Sequence, residues 1–289
     1  MMALPQVLMC PPDHYGVYYV INPWMDIARQ ADHAAAVAQW QSLRAALVAA
    51  GAQVSLVPPV EGLPDMVFTA NAALIYRKRA IVSRFRHEQR AGEQPHFRRW
   101  LAEHGFEALD PPDGHAFEGA GDALFCGDTL YAGYRQRSDA IGHQKIGTLL
   151  GVRVLPLELV SAHFYHLDTC FCPLDAQTAI WFPPALDEYG RRVIRANIAN
   201  LIEVEEAEAR SFACNAAVVG RAVVTNIGCS GLHGRLRAAG FAPVEVPLSE
   251  FVKAGGSAKC LTLRLDGEEA AAWRQDDPGG NSENCHDRL

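Results

Sequence analysis

Apolar positions at helical spacing, closed by a glycine and followed at once by a β-rich stretch, recur along the chain. Leu47-Val-Ala-Ala-Gly51 leads into residues 52–57, Leu101-Ala-Glu-His-Gly105 into 106–109, Leu149-Leu-Gly151 into 152–157, and Leu236-Arg-Ala-Ala-Gly240 into 241–246. A degenerate fifth copy, without the glycine, covers residues 198–204. Glycine closes a helix in the left-handed conformation before the chain turns into a strand. Helical periodicity covers residues 34–50 and part of 90–104, while 66–74, 80–85, 123–131, 170–182 and 216–225 read as apolar strands. A period of roughly 40–55 residues points to internal repeats. Five such units predict an α/β fold closed into a ring of modules; an irregular α+β domain is the alternative arrangement.

No linker is evident before residue 273, so residues 1–272 are expected to form a single domain, with the polar, turn-forming stretch 273–289 as a disordered tail. A chain of 289 residues with 49% hydrophobic and 20% charged side chains has ample material for a core, which excludes a disordered chain. The net charge of −7 argues against sequence-independent nucleic-acid binding, yet leaves room for an acidic pocket that takes a cation. No apolar run reaches the ~18–20 residues of a membrane span. The N-terminus lacks the basic flank and apolar core of a secretory signal. The eight cysteines are scattered, which fits reduced thiols and a cytoplasmic location. A homo-oligomer is compatible with this composition.

Nucleotide and metal signatures are missing: there is no GxGxxG after a strand, no Walker loop and no HExxH, and Cys170-x-Cys172 has the wrong spacing for a zinc knuckle. Polar residues inside apolar context carry more information. Asp65, Glu118 and Asp168 stand where strand patterning predicts burial, and an ionised carboxylate there needs a partner. Cys260 follows Gly255-Gly256 and opens a strand-like Leu-Thr-Leu, with Lys259 beside it as a possible support for a thiolate. His166 and Asp168 alternate, so a strand would set both on one face as a general acid/base and its neighbour. Each feature alone admits an ordinary structural reading. Together they make a set suited to thiol catalysis on a cationic ligand.

Four phrases carry a resemblance that covers nearly the whole chain: Pro-Asp65-x-Val-Phe-Thr-Ala-Asn71, Phe-Glu118-Gly-x-Gly-Asp122, His166-Leu-Asp168-Thr-x-Phe and Gly-Gly-Ser-Ala-Lys-Cys260. The sequence resembles the guanidino-group-modifying enzymes: arginine deiminases, dimethylarginine dimethylaminohydrolases, amidinotransferases and arginine dihydrolases. The resemblance implies a five-bladed α/β propeller, the pentein fold, with pseudo-fivefold repeats, and no metal or organic cofactor. It implies Cys260 as nucleophile on the guanidinium carbon and His166 as acid and base. It implies Glu118 and Asp168 as grips on the guanidinium nitrogens, with Asp65 and Phe68 shaping the wall. Arg90 and Arg137 (or Arg135) are implied as a clamp for an α-carboxylate, with Asn22 as a further contact.

The sequence departs from the deiminase and dimethylaminohydrolase pattern at Asn71, where those enzymes carry an aspartate that contacts the guanidinium. An asparagine can donate to a neutral ureido oxygen, as further processing of citrulline would require. The phrase resembles the arginine dihydrolase branch. The expected reaction is therefore L-arginine and two waters to L-ornithine, carbon dioxide and two ammonia. Dimethylarginine hydrolysis is the main alternative, amidinotransfer a weaker one, and a non-catalytic binding module of the same fold the alternative from another class.

Overall fold

The computed structural model describes residues 4–273. Its strands form five three-stranded sheets. Each sheet pairs a first strand antiparallel with a second, in four of them as a hairpin, and the second parallel with a third. In chain order these are Ala73–Tyr76, Arg79–Val82 and Glu107–Leu109, then Ala123–Cys126, Thr129–Tyr134 and Arg153–Glu158. Phe171–Asp175, Thr178–Trp181 and Asn200–Glu203 follow, and then Ala217–Val219, Ala222–Asn226 and Ala242–Val246. The fifth sheet joins the two ends of the chain. Leu263–Arg264 pairs antiparallel with Gln6–Met9, which lies parallel to Gln53–Leu56. Leu124, Phe171, Val218 and Arg264, from four of the first strands, line one small cavity of about 30 Å³. The architecture is a five-bladed α/β propeller with pseudo-fivefold repeats.

The parallel third strand of each sheet demands a crossover, and a helix supplies it. These helices are His33–Ala49, Gln94–Glu103, Ala140–Leu150, Glu188–Asn197 and Ser230–Ala238. The Asp32 side chain caps the first by accepting from Ala35 N at 2.9 Å. Gly51, Gly105, Gly151 and Gly240 follow four of the helices with φ from +68° to +98°, as their place in the repeated phrase predicts.

Several expected strands differ from those observed. Residues 123–131, 170–182 and 216–225 are hairpins, because Gly127 and Gly220, at φ +64° and +56°, reverse two of them and the Ala176-Gln177 pair reverses the third. Residues 66–74 are mostly two 3-10 turns, Pro64–Val67 and Thr69–Ala72, ahead of the strand. Proline starts the first turn, and the Thr69 hydroxyl anchors the second by donating to Leu8 O at 2.9 Å. Trp273, assigned from sequence to the tail, packs edge-on against Tyr76 at 5.5 Å; residues 274–289 lie outside the described residues. No helix among the described residues is long and apolar enough to cross a membrane.

Ring closure rests on the last strand. Leu8 and Leu263 are register partners and both fully buried. Leu263→Ala should therefore lower the unfolding free energy by about 2–5 kcal/mol, as truncation of a buried leucine does. Chemical denaturation checks this. A loss under about 1 kcal/mol would mean that the closing strand lies outside the cooperative unit.

Candidate active site

Seven of the expected site residues lie on the connections that enter the first strands of four sheets. Asp65, Phe68 and Asn71 precede Ala73; Glu118 precedes Ala123; His166 and Asp168 precede Phe171; Cys260 precedes Leu263. The repeat gathers these connections at one end of the ring. A closed circuit of hydrogen bonds joins them: Ala70 N to Cys260 O at 3.1 Å, Asn71 Nδ2 to Glu118 O at 3.4 Å, Leu167 N to Asp122 Oδ1 at 3.1 Å, Asn215 Nδ2 to Asp168 O at 3.1 Å, and Lys259 N to Asn215 O at 3.2 Å. Residues far apart in sequence thus share one buried wall.

Cys260 lies in a turn and not on the strand that Leu-Thr-Leu suggests, since only Leu263–Arg264 is extended. Its Sγ donates to Asp168 Oδ2 at 3.4 Å and accepts from Asn215 Nδ2 at 3.1 Å. The second carboxylate oxygen of Asp168 has no partner within the protein. Burial raises the Cys260 thiol well above its usual range, and the Asp168 carboxylate pushes the same way. Burial likewise lifts the Asp168 carboxyl to about 7, against the pull of Lys259. Lys259 does not meet the sulfur in this arrangement; its Nζ pairs with Glu268 at 3.0 Å and 3.2 Å. The ring of Phe68 lies against Gly256, where an added Cβ would come within 2.3 Å of Cε1.

His166 and Asp168 do not share a strand face, because Leu167–Thr169 is a 3-10 turn. The histidine pairs instead with Glu118, Nε2 to Oε2 at 2.7 Å. Burial opposes ionisation of Glu118, but Arg137 at 3.0 Å and His166 outweigh it and hold the carboxyl well below the usual range. An ionised carboxylate only accepts, so Nε2 carries the ring proton and Nδ1 keeps its lone pair. Burial pushes the imidazole down to about 4, with Glu118 pulling the other way. Nδ1 is buried without a partner within the protein. The result is a neutral base of fixed tautomer.

Glu118 Oε1 accepts from Arg86 N at 3.1 Å while Oε2 takes Arg137 and His166. It therefore orients the imidazole and has little capacity left for the guanidinium grip expected of it. Both arginines already hold partners within the wall. Arg90 holds Glu93 through Nε and Nη2 at 2.7 Å and 2.8 Å, Asn71 Oδ1 at 2.8 Å and Asp65 O at 3.1 Å, and stacks on Phe85. Arg137 bonds Glu118 and Ile21 O over the ring of Tyr165. Of five guanidinium N–H groups, Arg90 commits four to these bonds and Arg137 two. Arg135 is exposed and pairs with Glu158 at 2.6 Å. Asn22 uses its amide within the wall, donating to Ala254 O at 3.0 Å and accepting from Trp24 N at 2.9 Å. Asp65 accepts from Tyr19 Oη at 2.9 Å, and its other oxygen is unpartnered. Beside Tyr19 opens a cleft of about 480 Å³ with Asp13 and Glu61 in its lining.

Asn215 was not among the residues singled out from the sequence. It bonds Cys260 Sγ, and its Oδ1 accepts from Ser257 N and Cys260 N, both at 3.1 Å. A signal for it existed. Asn215-Ala-Ala-Val repeats Asn71-Ala-Ala-Leu, and each phrase enters the first strand of its sheet at the second alanine.

A family model for eukaryotic N,N-dimethylarginine dimethylhydrolase matches residues 20–266. The chain belongs to the dimethylarginine dimethylhydrolase family. Among relatives in and around that family, a bifunctional arginine dihydrolase/ornithine cyclodeaminase of Synechocystis is 48% identical over 265 residues, which is 90% of this chain and 37% of that protein. The chain thus spans little more than a third of that relative's length. The dimethylarginine dimethylaminohydrolase of Mycobacterium tuberculosis is 42% identical over 257 residues, covering 89% of this chain and 84% of that one. A solved N-terminal domain of a cyanobacterial arginine dihydrolase, a cysteine-to-serine variant with substrate bound, superposes with a TM-score of 0.88 at 46% identity, covering 93% of this chain and 99% of that chain. An asparagine-to-serine variant of the same domain is covalently bonded to a reaction intermediate, and it also superposes at 0.88.

In this family member the raised Asp168 carboxyl has a measurable consequence for stability. An unfolded aspartate ionises near pH ~3.9, whereas the folded group ionises at about 7. Stability is thus full below the lower value and is lost as pH rises through the upper one. Asp168→Asn lacks this loss. Its unfolding free energy should gain on that of the unsubstituted protein as pH rises between about 4 and 7, by up to about 1.4 kcal/mol for each pH step of one. Chemical denaturation across that range checks it; a difference independent of pH would refute the buried-charge assignment.

Proposed function

We propose that this chain is a cysteine-dependent guanidine hydrolase that converts L-arginine and two waters to L-ornithine, carbon dioxide and two ammonia. The substrate is a small guanidino cation. The unpartnered oxygens of Asp168 and Asp65 supply fixed negative charge for it. Arg137 and Arg90 form the cationic side of the wall, against which the α-carboxylate rests. Phe68 and Asn22 act by holding the glycine turn before Cys260. The N-terminal domain structure with substrate bound supports this reading.

Binding of the cation offsets the burial of Asp168 and favours the thiolate of Cys260. The thiol proton passes to Nδ1 of His166. Sulfur adds to the guanidinium carbon, a carbon–nitrogen bond breaks, and the imidazolium protonates the departing ammonia. His166 then takes a proton from water, which adds to the carbon as the carbon–sulfur bond breaks, leaving a ureido group. A second round on that group releases the second ammonia and a carbamate, which loses carbon dioxide.

The orientation of Asn71 carries the second round. Arg90 Nη1 fixes its Oδ1 at 2.8 Å, which turns the amide nitrogen away from that guanidinium. An added Cβ on Gly121 would lie 2.2 Å from Nδ2 and 3.4 Å from His166 Cγ, so the amide nitrogen and the imidazole flank the same glycine. A donor there can hold a ureido oxygen, and an aspartate cannot. The family match favours a second reading, in which dimethylarginine yields citrulline and dimethylamine. One product assay separates them. Arginine should give ornithine with two ammonia per turnover; citrulline accumulating one for one, or dimethylarginine turning over much faster, would reject the dihydrolase. Asn71→Asp should shift the citrulline-to-ornithine ratio upward by about tenfold, the worth of one hydrogen bond. An unchanged ratio would remove Asn71 from the mechanism.

A further inference from the structure

We infer that Asn215 is a catalytic residue: its amide nitrogen donates to the reacting sulfur and stabilises the thiolate, while its carbonyl oxygen fixes the turn that carries Cys260. The inference rests on the proposed role of Cys260 as nucleophile. Asn215 is fully buried and its amide groups are all accounted for among site groups. Oδ1 accepts from Ser257 N and Cys260 N, both at 3.1 Å. Nδ2 donates to Asp168 O and to Cys260 Sγ, both at 3.1 Å. Accepting at Oδ1 fixes the amide so that its nitrogen, and not its oxygen, meets the sulfur. Its own backbone carbonyl accepts from Lys259 N at 3.2 Å. One side chain therefore joins the nucleophile, the turn on which it rides and the strand entry that carries Asp168.

The need for such a donor follows from the surroundings. The other side-chain contact of the sulfur is a carboxylate, which accepts the thiol proton but repels the thiolate, while the Ser257 backbone N–H favours the thiolate. Lys259, the nearest cation in sequence, is paired with Glu268. Two neutral N–H donors, the Ser257 backbone and the Asn215 amide, favour the anion without depending on bound substrate, and Oδ1 of Asn215 also holds the Ser257 N–H in its place. The position of Asn215 matches that of Asn71 in the first repeat, so two equivalent points of the ring hold amides, one beside the nucleophile and one beside the base.

Asn215→Asp keeps the acceptor that holds Ser257 N and Cys260 N but replaces the donor to sulfur. Asn215→Ala removes the donor, and the acceptor with it, without adding charge. Both variants are to be checked by thermal melting, and by arginine binding in a Cys260→Ser background. The readout is the rate of Cys260 alkylation by iodoacetamide between pH 6 and 9, followed by mass spectrometry. Loss of one charge-assisted donor raises a thiol pKa by roughly one to two. Greater intrinsic nucleophilicity offsets part of that, which leaves a fall in rate of about three- to tenfold at each pH. That fall in both folded variants is the expected result. Rates within about twofold of the unsubstituted protein, or a fall in Asn215→Asp alone, would reduce Asn215 to a packing residue. Alkylation that depends on Asn215 in a protein without arginine turnover would overturn the proposed reaction and leave this inference standing.

Discussion

Uncompensated negative charge, buried where water cannot screen it, governs the rest of this site. Two arginines reach the same wall, but each already holds a glutamate: Arg90 with Glu93, leaving it at 3.9 Å from Asp65 Oδ2, and Arg137 with Glu118. Asp65 and Asp168 keep unpartnered oxygens. Burial answers by suppressing ionisation wherever it can. Asp168 is lifted to about 7, the Cys260 thiol rises, and His166 falls to about 4. All three changes lead toward neutral forms; a cation relaxes the first two and holds the imidazole neutral still more firmly. The free protein therefore stands in a protonation state that ligand binding is built to change.

Propeller topology makes that concentration of charge possible. A carboxylate at residue 65, one at 168 and a thiol at 260 are separated by long stretches of chain, and no single helix or strand could juxtapose them. Five copies of one strand entry, closed by pairing the last strand with Gln6–Met9, deliver five turns to one place. Hydrogen bonds between neighbouring turns complete the circuit, so each turn is held by the next and not by its own sheet alone. Gly121 and Gly256 permit the closest approaches, against Asn71 and Phe68.

Much of this was legible in the order of residues. Helix, glycine and strand repeat, and Gly51, Gly105, Gly151 and Gly240 adopt the conformation that phrase requires. Asp65, Glu118, His166, Asp168 and Cys260 were visible as polar residues in apolar context, and the fold brings them into one wall. Their partnerships were not visible. Alternation suggested a histidine–aspartate pair on a strand, but a 3-10 turn separates the two and gives His166 to Glu118. Local period describes a strand only while the chain remains extended. The clamp role of the arginines came with the resemblance; Glu93 stands only three residues beyond Arg90, while nothing local reveals Ile21 O as an acceptor of Arg137. Asn215 was hidden for the same reason, although its Asn-Ala-Ala phrase duplicates that of Asn71.

The paired asparagines bear on how a thiolate could act twice. In the proposed reaction the first round turns a cation into a neutral ureido group. The charge that favoured the Cys260 thiolate then leaves, while Asp168 remains beside the sulfur at 3.4 Å. A site that relied on substrate charge alone would lose its nucleophile at this point. Amide donors do not titrate and do not depart. Asn215 bonds the sulfur at 3.1 Å whatever the ligand's charge, and Asn71, held by Arg90, offers nitrogen and not oxygen to the side shared with His166. Carboxylates suit the first half of such a sequence and neutral donors the second, and this wall contains both.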